Sequence, residues 1–138
     1  MSNISPDRYV SNLVGNGSIV NGATILSSNL NTPGTPARSR NFVVAQKNMN
    51  LKSSEASHIL EKATNNTLHL DYIIIGQTQY IITSIQERSY YGRNTNTEVG
   101  GGIIVCKTAK SVLVATYPGS VSHEAIPLVE HFADSIPQ

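Results

Sequence analysis

The sequence contains no tryptophan, one cysteine and two phenylalanines. With Cys106 alone, no internal disulfide can form, which fits a reducing compartment. Charge is scarce: 14% of residues are Asp, Glu, Lys or Arg, and the formal net charge is +1. That balance excludes a broadly basic nucleic-acid surface and a charge-expanded disordered chain. No apolar run approaches the ~18 residues of a membrane-spanning helix. The opening MSNISPDRYV lacks the basic-then-apolar pattern of a secretory leader. The expectation is a cytoplasmic protein, and the Asn-x-Ser/Thr triplets at Asn3, Asn16 and Asn65 are coincidences of an Asn-rich chain.

What is present is β-forming sequence. At 138 residues the chain suits a single domain, 1–138. Between Asp71 and Pro118 lie four runs rich in Ile, Val, Thr and Tyr: Tyr72–Ile75, Tyr80–Ile85, Ile103–Cys106 and Val112–Thr116. Gly76-Gln77 has the form of a two-residue hairpin turn with glycine first. Lys107-Thr108-Ala109-Lys110 is a short polar link. Links this short join antiparallel neighbours, because a parallel crossover needs about a dozen residues or more. Ile73-Ile74-Ile75 and Ile103–Cys106 are continuous rather than alternating, the pattern of a sheet covered on both faces. The longest break, Gly92–Gly102, is polar and glycine-rich.

Helical signals surround the meander. Ser5-Pro6-Asp7 is a helix start, followed by an apolar face of Tyr9, Val10, Leu13 and Val14 and a stop at Gly15-Asn16-Gly17. A short strand, Ala23–Leu26, precedes a loop, Ser27–Arg40, with two prolines. Asn41–Gln46 reads as a strand with Phe42 and Val44 on one face and Val43 and Ala45 on the other. A second helix spans Ser53 to Ala63, capped by Ser53 or Ser54, with Ala56, Ile59, Leu60 and Ala63 on one face. A last helix begins near Ser122. Its stripe of Ala125, Leu128, Val129, Phe132, Ala133 and Ile136 should lie along the sheet, and Pro137 ends it. The predicted fold class is α+β on a central antiparallel sheet.

Chemical motifs are sparse. Gly100-Gly101-Gly102 precedes a strand rather than the helix a phosphate loop requires. His58, His69, His123 and His131 lack metal-ligand spacing. Cys106, inside a strand run, reads as a buried, inert thiol. Glu124 and Glu130 read as solvated charges on a helix. Nothing assembles into a mechanism, so the expectation is a non-enzymatic protein without cofactor or metal. One cluster suits partner binding: Gln86, Arg88, Tyr90 and Arg93, with Lys107 and Lys110 nearby, is rich in the Arg and Tyr of binding hot spots.

Longer strings carry a family resemblance. QTQYIITSIQERSYYGR, GGGIIVCKTAKSVLVATYP and the terminal LVEHFADSI resemble the C-terminal half of profilins, with their RS-x-YG turn, VxKT-x-K hairpin and VEKLADYL helix. Asn12-Leu13-Val14-Gly15-Asn16-Gly17 resembles the NLVGTG exit of the first profilin helix. The likeness covers nearly the whole chain, strongest from Gly76 onward and weakest between Ser27 and Lys52. It implies terminal helices on one face of the sheet and the mid-chain helix on the other.

The resemblance also implies binding of monomeric actin and regulation of filament assembly by a monomer. Carried onto this chain, the actin-binding positions are Lys62, Thr78, Tyr80, Ser84, Arg88, Arg93, Val121, Ser122, His123 and Glu124. The family's aromatic polyproline groove maps onto Pro6, Tyr9, Val43 and Ser135. Tyr9 is the sole aromatic among them, so polyproline binding is expected to be weak or lost. Arg88, Arg93, Lys107 and Lys110 are the positions for anionic phosphoinositides. The degenerate groove and the long loop resemble archaeal Asgard-type profilins, with a divergent protist member the other reading. Outside the family, a dimeric roadblock- or longin-like scaffold subunit shares the helix-flanked antiparallel sheet, and a lipid-surface adaptor would use the same basic rim.

Overall fold

The computed structural model describes residues 6–15, 19–26, 43–49, 51–86, 88–96, 98, 100–108 and 111–135. The first helix, α1, spans Pro6–Val14 and buries Tyr9, Val10, Leu13 and Val14. Gly15 adopts the left-handed φ of +58° that ends a helix most readily without a Cβ. The next elements are β1 (Gly22–Leu26), β2 (Val43–Lys47) and α2 (Ser53–Thr64). The meander comprises β3 (Tyr72–Ile75), β4 (Thr78–Ile85), β5 (Ser89–Asn94), β6 (Gly102–Lys107) and β7 (Val112–Tyr117), and α3 (Ser122–Ser135) closes the described chain. The expected Ser27–Arg40 loop, Phe42, Ile136 and Pro137 lie outside the described residues.

The strands form one antiparallel sheet in the order β2-β1-β7-β6-β5-β4-β3. On one side, Tyr9, Val10, Leu13 and Val14 of α1 and Ala125, Val129 and Ala133 of α3 pack on Ala23, Ile25, Ile104, Cys106, Leu113 and Ala115. On the other, Ala56, Ile59, Leu60 and Ala63 of α2 pack with Leu26, Ile73, Ile103, Val105 and Val114. The α+β architecture is as the sequence pattern indicated, and the helices take the faces that the family resemblance implied. Strand β6 is buried along Gly102–Cys106 because it contributes to both cores.

Four details differ from expectation. A fifth meander strand, β5, occupies the start of the stretch assigned to a glycine-rich break. Gly92 belongs there because a Cβ would come within 2.6 Å of the Ile81 carbonyl oxygen, so only glycine lets β4 and β5 close. Strand β3 is an edge strand, leaving Ile74 51% exposed rather than covered. A register shift pairs Ile25 with Ala45 but Leu26 with Val43. Val43 therefore packs against the α2 core while Ala45 joins the other, although alternation would put both on one face. The α2 cap is Lys52, whose N–H donates to Glu55 Oε1 at 3.0 Å, rather than Ser53 or Ser54.

Glu55 also ties α2 to the first hairpin, since its Oε2 accepts the Gly76 N–H at 3.0 Å. Gly76 sits at φ +61°, as the glycine-first turn requires. At its other end, α2 stops with Asn66 at φ +60°. The Asn66 N–H donates to the Ala63 carbonyl and the Thr67 N–H to the Lys62 carbonyl, a Schellman closure.

Candidate functional site

The terminal helices cover only part of their side of the sheet. Helix α1 lies on β1 and β2 and α3 on β6 and β7. Strands β3, β4 and β5 extend beyond them. Register places Tyr72 opposite Ile81 and Ile81 opposite Arg93, so these three share one side. Tyr91 is on that side too, because it pairs with Ile104 of the terminal-helix core. Ser84, across from Tyr91, completes the set. Tyr72 is 48% exposed, Ile81 and Tyr91 are half-buried, and Ser84 and Arg93 are exposed. The result is a patch with apolar and aromatic residues inside a polar rim, the composition of a protein-binding surface.

The start of α3 borders this patch. Gly119 packs against Gly101, whose carbonyl accepts the Asn94 N–H at 3.0 Å, so α3 begins at the Arg93 end of β5. His123 and Glu124 are exposed there. Pro127, inside α3, can give no N–H to the His123 carbonyl four residues earlier.

Farther along α3, Glu130 meets the other end of β5. Its Oε2 accepts the Ser89 hydroxyl at 2.6 Å and the Tyr91 hydroxyl at 2.5 Å. Its Oε1 accepts Arg88 Nη2 at 3.2 Å, and Arg88 reaches Asp134 at 2.6 Å. The Cys106 thiol lies 3.6 Å from the same Oε1. Burial alone would raise the Glu130 pKa. The bonds from Ser89, Tyr91 and Arg88 outweigh it and hold the carboxyl below its ordinary value. Burial, followed by the bond to Glu130, pushes the Tyr91 phenol up to about 12. Burial raises the Cys106 thiol as well, so it is a buried thiol rather than a reactive thiolate. Glu130 is therefore not the solvated charge the sequence suggested. A helix-surface spacing could not show that three donors from β5 and its approach converge on it.

The profilin family model matches residues 5–138 of this chain. The chain belongs to the profilin family. Profilin-A of Physarum polycephalum is 30% identical over 125 residues, covering 88% of this chain and 86% of that protein. Acanthamoeba castellanii profilin IB superposes with a TM-score of 0.73 at 23% identity, covering 95% of both chains. LokiProfilin1, solved with rabbit actin, superposes at 0.69 with 14% identity, covering 92% of this chain and 90% of that one. At these identities the two structural likenesses speak to the fold alone.

The structure sorts the positions carried over from profilins. Ser84, Arg93, His123 and Glu124 are exposed on or beside the open patch, and Val121 is half-buried just before α3. Tyr80 points with Thr78 and Ile82 toward α2 and is buried in that core rather than exposed on the patch. Lys62, in the last turn of α2, lies on the α2 side of the sheet. Arg88 keeps 37% of its side chain exposed while its guanidinium pairs with Glu130 and Asp134. The Ser122 side chain is outside the described residues. Tyr72, Ile81 and Tyr91 escaped sequence reasoning because cross-strand register, which sets their side, depends on the unrecognised β5.

Among the described residues, the basic positions Arg88, Arg93 and Lys107 do not form one patch. Arg88 and Lys107 share a cleft of about 250 Å³ with Asn66, His69, Ile85, Gln86 and Tyr90. Lys107 stands over the Tyr90 ring at 5.9 Å and bonds Asn66 Oδ1. Arg93 is at the opposite end of β5, and Lys110 lies outside the described residues.

Tyr9 and Val43, the mapped polyproline positions whose side chains are described, do not share one floor either. Tyr9 is 3% exposed, with Phe132 edge-on at 5.4 Å, so it presents no ring face. Val43 packs on the α2 side, the opposite side from Tyr9, whereas its neighbour Val44 packs against the terminal-helix core. The side chains of Pro6 and Ser135 are outside the described residues. Among the described residues, no three His, Cys, Asp or Glu side chains come together as a metal site. No helix among them is long and apolar enough to cross a membrane.

Proposed function

We propose that this profilin-family chain binds monomeric actin, regulates filament assembly in the cytoplasm, and acts by binding rather than catalysis. The observation that carries the reading is the open patch on β3–β5 beside the start of α3. An apolar centre of Ile81 and Tyr91 with Arg93, Ser84 and Glu124 around it suits a protein partner. LokiProfilin1, which shares the fold, was solved with rabbit actin, and that supports the same class of partner here. Polyproline binding is weak or lost, because the buried Tyr9 offers no surface for proline rings to stack on. Anionic phosphoinositides are secondary ligands at most. The charge of Arg88 is already met by two carboxylates, leaving Lys107 to attract a headgroup in the cleft they share.

Titration of the protein against monomeric actin at physiological salt tests the reading. Saturable one-to-one binding with slower filament nucleation is the expected result. No binding to actins from several sources, together with a dimer by light scattering, would replace it with the scaffold-subunit alternative.

A further inference from the structure

The proposed binding face straddles a seam. One part is the sheet surface of β4 and β5, and the other is the start of α3. The buried residues of α3, Ala125, Val129 and Ala133, share their core with Ile104 and Cys106 of β6 and Leu113 and Ala115 of β7. The apolar packing of the helix is thus centred on β6 and β7, one strand short of the face. Glu130 follows Val129 at the margin of that apolar stripe and reaches β5 directly. An open cleft of about 670 Å³, lined by Gln86, Arg88, Ser89, Tyr91, Glu130 and Asp134, marks the seam.

We infer that Glu130 is a positioning residue for the binding face, locking β5 to α3 so that a partner meets one preformed surface. Both carboxylate oxygens are occupied by donors from β5 and its approach: Ser89 and Tyr91 on Oε2, and Arg88 on Oε1. Arg88 Nη2 also bonds the Glu130 backbone carbonyl at 3.2 Å, fixing the helix as well as the side chain. Tyr91 is oriented by the same bond. Its hydroxyl is committed to Glu130, so it offers a partner its ring, held against the sheet. A surface that must order two elements on contact binds more weakly than one already assembled. The inference rests on the actin-binding reading for its functional consequence, while the lock itself can be examined without actin.

The test is Glu130→Gln, which keeps the shape and removes the charge and an acceptor oxygen. Amide hydrogen exchange of the full chain comes first, without a partner. Protection at Gly92 and Arg93 should fall at least tenfold, while that of Val129 holds. In a spectrophotometric titration, the phenol lost on Tyr91→Phe should ionise at lower pH in the Glu130→Gln background than in the wild type. Actin affinity should then fall about tenfold under conditions where the variant is fully folded. Unchanged protection at Gly92 and Arg93 overturns the inference whether or not actin binds. A lower melting temperature with unchanged actin affinity also overturns it, reducing Glu130 to a stabilising contact. Failure of the wild type to bind actin defeats the actin reading instead, and the exchange and phenol measurements then decide the lock. If Glu130→Gln does not fold, Ser89→Ala and Tyr91→Phe each remove one bond, and the same local loss of protection is expected from both.

Discussion

The Tyr91 hydroxyl donates to the Glu130 carboxylate at 2.5 Å, joining the strand that carries the open face to the helix that borders it. The two residues are 39 apart in sequence. Their contact makes a charge that looked solvated into the centre of a polar cluster, and it directs several expectations about stability and binding.

Acid should loosen this cluster. Glu130 faces Arg88, Ser89, Tyr91 and Cys106, with Asp134 on the same helix sharing Arg88. Its folded-state pKa lies below the ordinary value, so its contribution is complete above the usual carboxylate range. That contribution is lost as pH falls through the folded value. Melting temperatures at neutral and strongly acidic pH should drop more for the wild type than for Glu130→Gln. Equal drops would show that the carboxylate contributes nothing to acid sensitivity.

Alkali acts on the phenols. Burial raises Tyr9, Tyr80, Tyr90, Tyr91 and Tyr117 above the ordinary value of about 10. Their neutral forms support the fold below that pH, and the support is lost as pH climbs toward the folded values. Phenolate absorbance should therefore rise late and together with loss of circular dichroism. A rise of all phenols near pH 10 in a still-folded protein would contradict their burial.

Two glycines should respond differently to alanine. At Gly76 nothing lies within 4 Å of an added Cβ, so the penalty is conformational, from φ +61°, and about 1 kcal/mol. At Gly92 the Cβ would meet the Ile81 carbonyl at 2.6 Å and the Ile103 side chain at 3.0 Å. Strand separation or overpacking there should cost about 3 kcal/mol. Denaturant midpoints should rank wild type, Gly76→Ala, then Gly92→Ala, and a reversed order would refute the β4–β5 approach.

The two arginines separate binding from stability. Arg93 is exposed on the patch, so Arg93→Glu should weaken actin binding about tenfold and leave the melting temperature nearly unchanged. Arg88 bridges Glu130 and Asp134, so Arg88→Ala should cost on the order of 1–2 kcal/mol of stability. The opposite assignment of effects would move the binding face to the Arg88 end of β5.

A proline decamer should give no saturable signal in a fluorescence or calorimetric titration. Tyr9 is buried against Phe132, and Val43 is on the other side of the sheet. Tight binding would mean that a different aromatic surface serves as the groove.

The helices were legible because their signals are local. Pro6 and Gly15 bracket α1, Asn66 stops α2, and Ala125, Val129 and Ala133 repeat at the helical period. The isoleucine- and valine-rich strands announced themselves by composition. Strand β5 did not, because Gly92, Arg93 and Asn94 favour a turn in isolation and become strand only between β4 and β6. All of the site positions were carried over by resemblance alone, and sequence could not show that Ser84, Arg93, His123 and Glu124 are exposed while Tyr80 lies in the α2 core and Arg88 pairs with Glu130 and Asp134.

Apolar spacing within each element determined the helices, most of the strands and hence the α+β class, and the resemblance to profilins implied that α2 and the terminal helices take opposite sides of the sheet. Only the tertiary structure decided which side chains are exposed and which are packed. It turned Tyr80 into the core, split Val43 from Val44 through a register shift, and brought Arg88, Ser89 and Tyr91 onto Glu130. Those outcomes depend on pairing between strands and on contacts 39 to 42 residues apart, and no local pattern of residues carries that information.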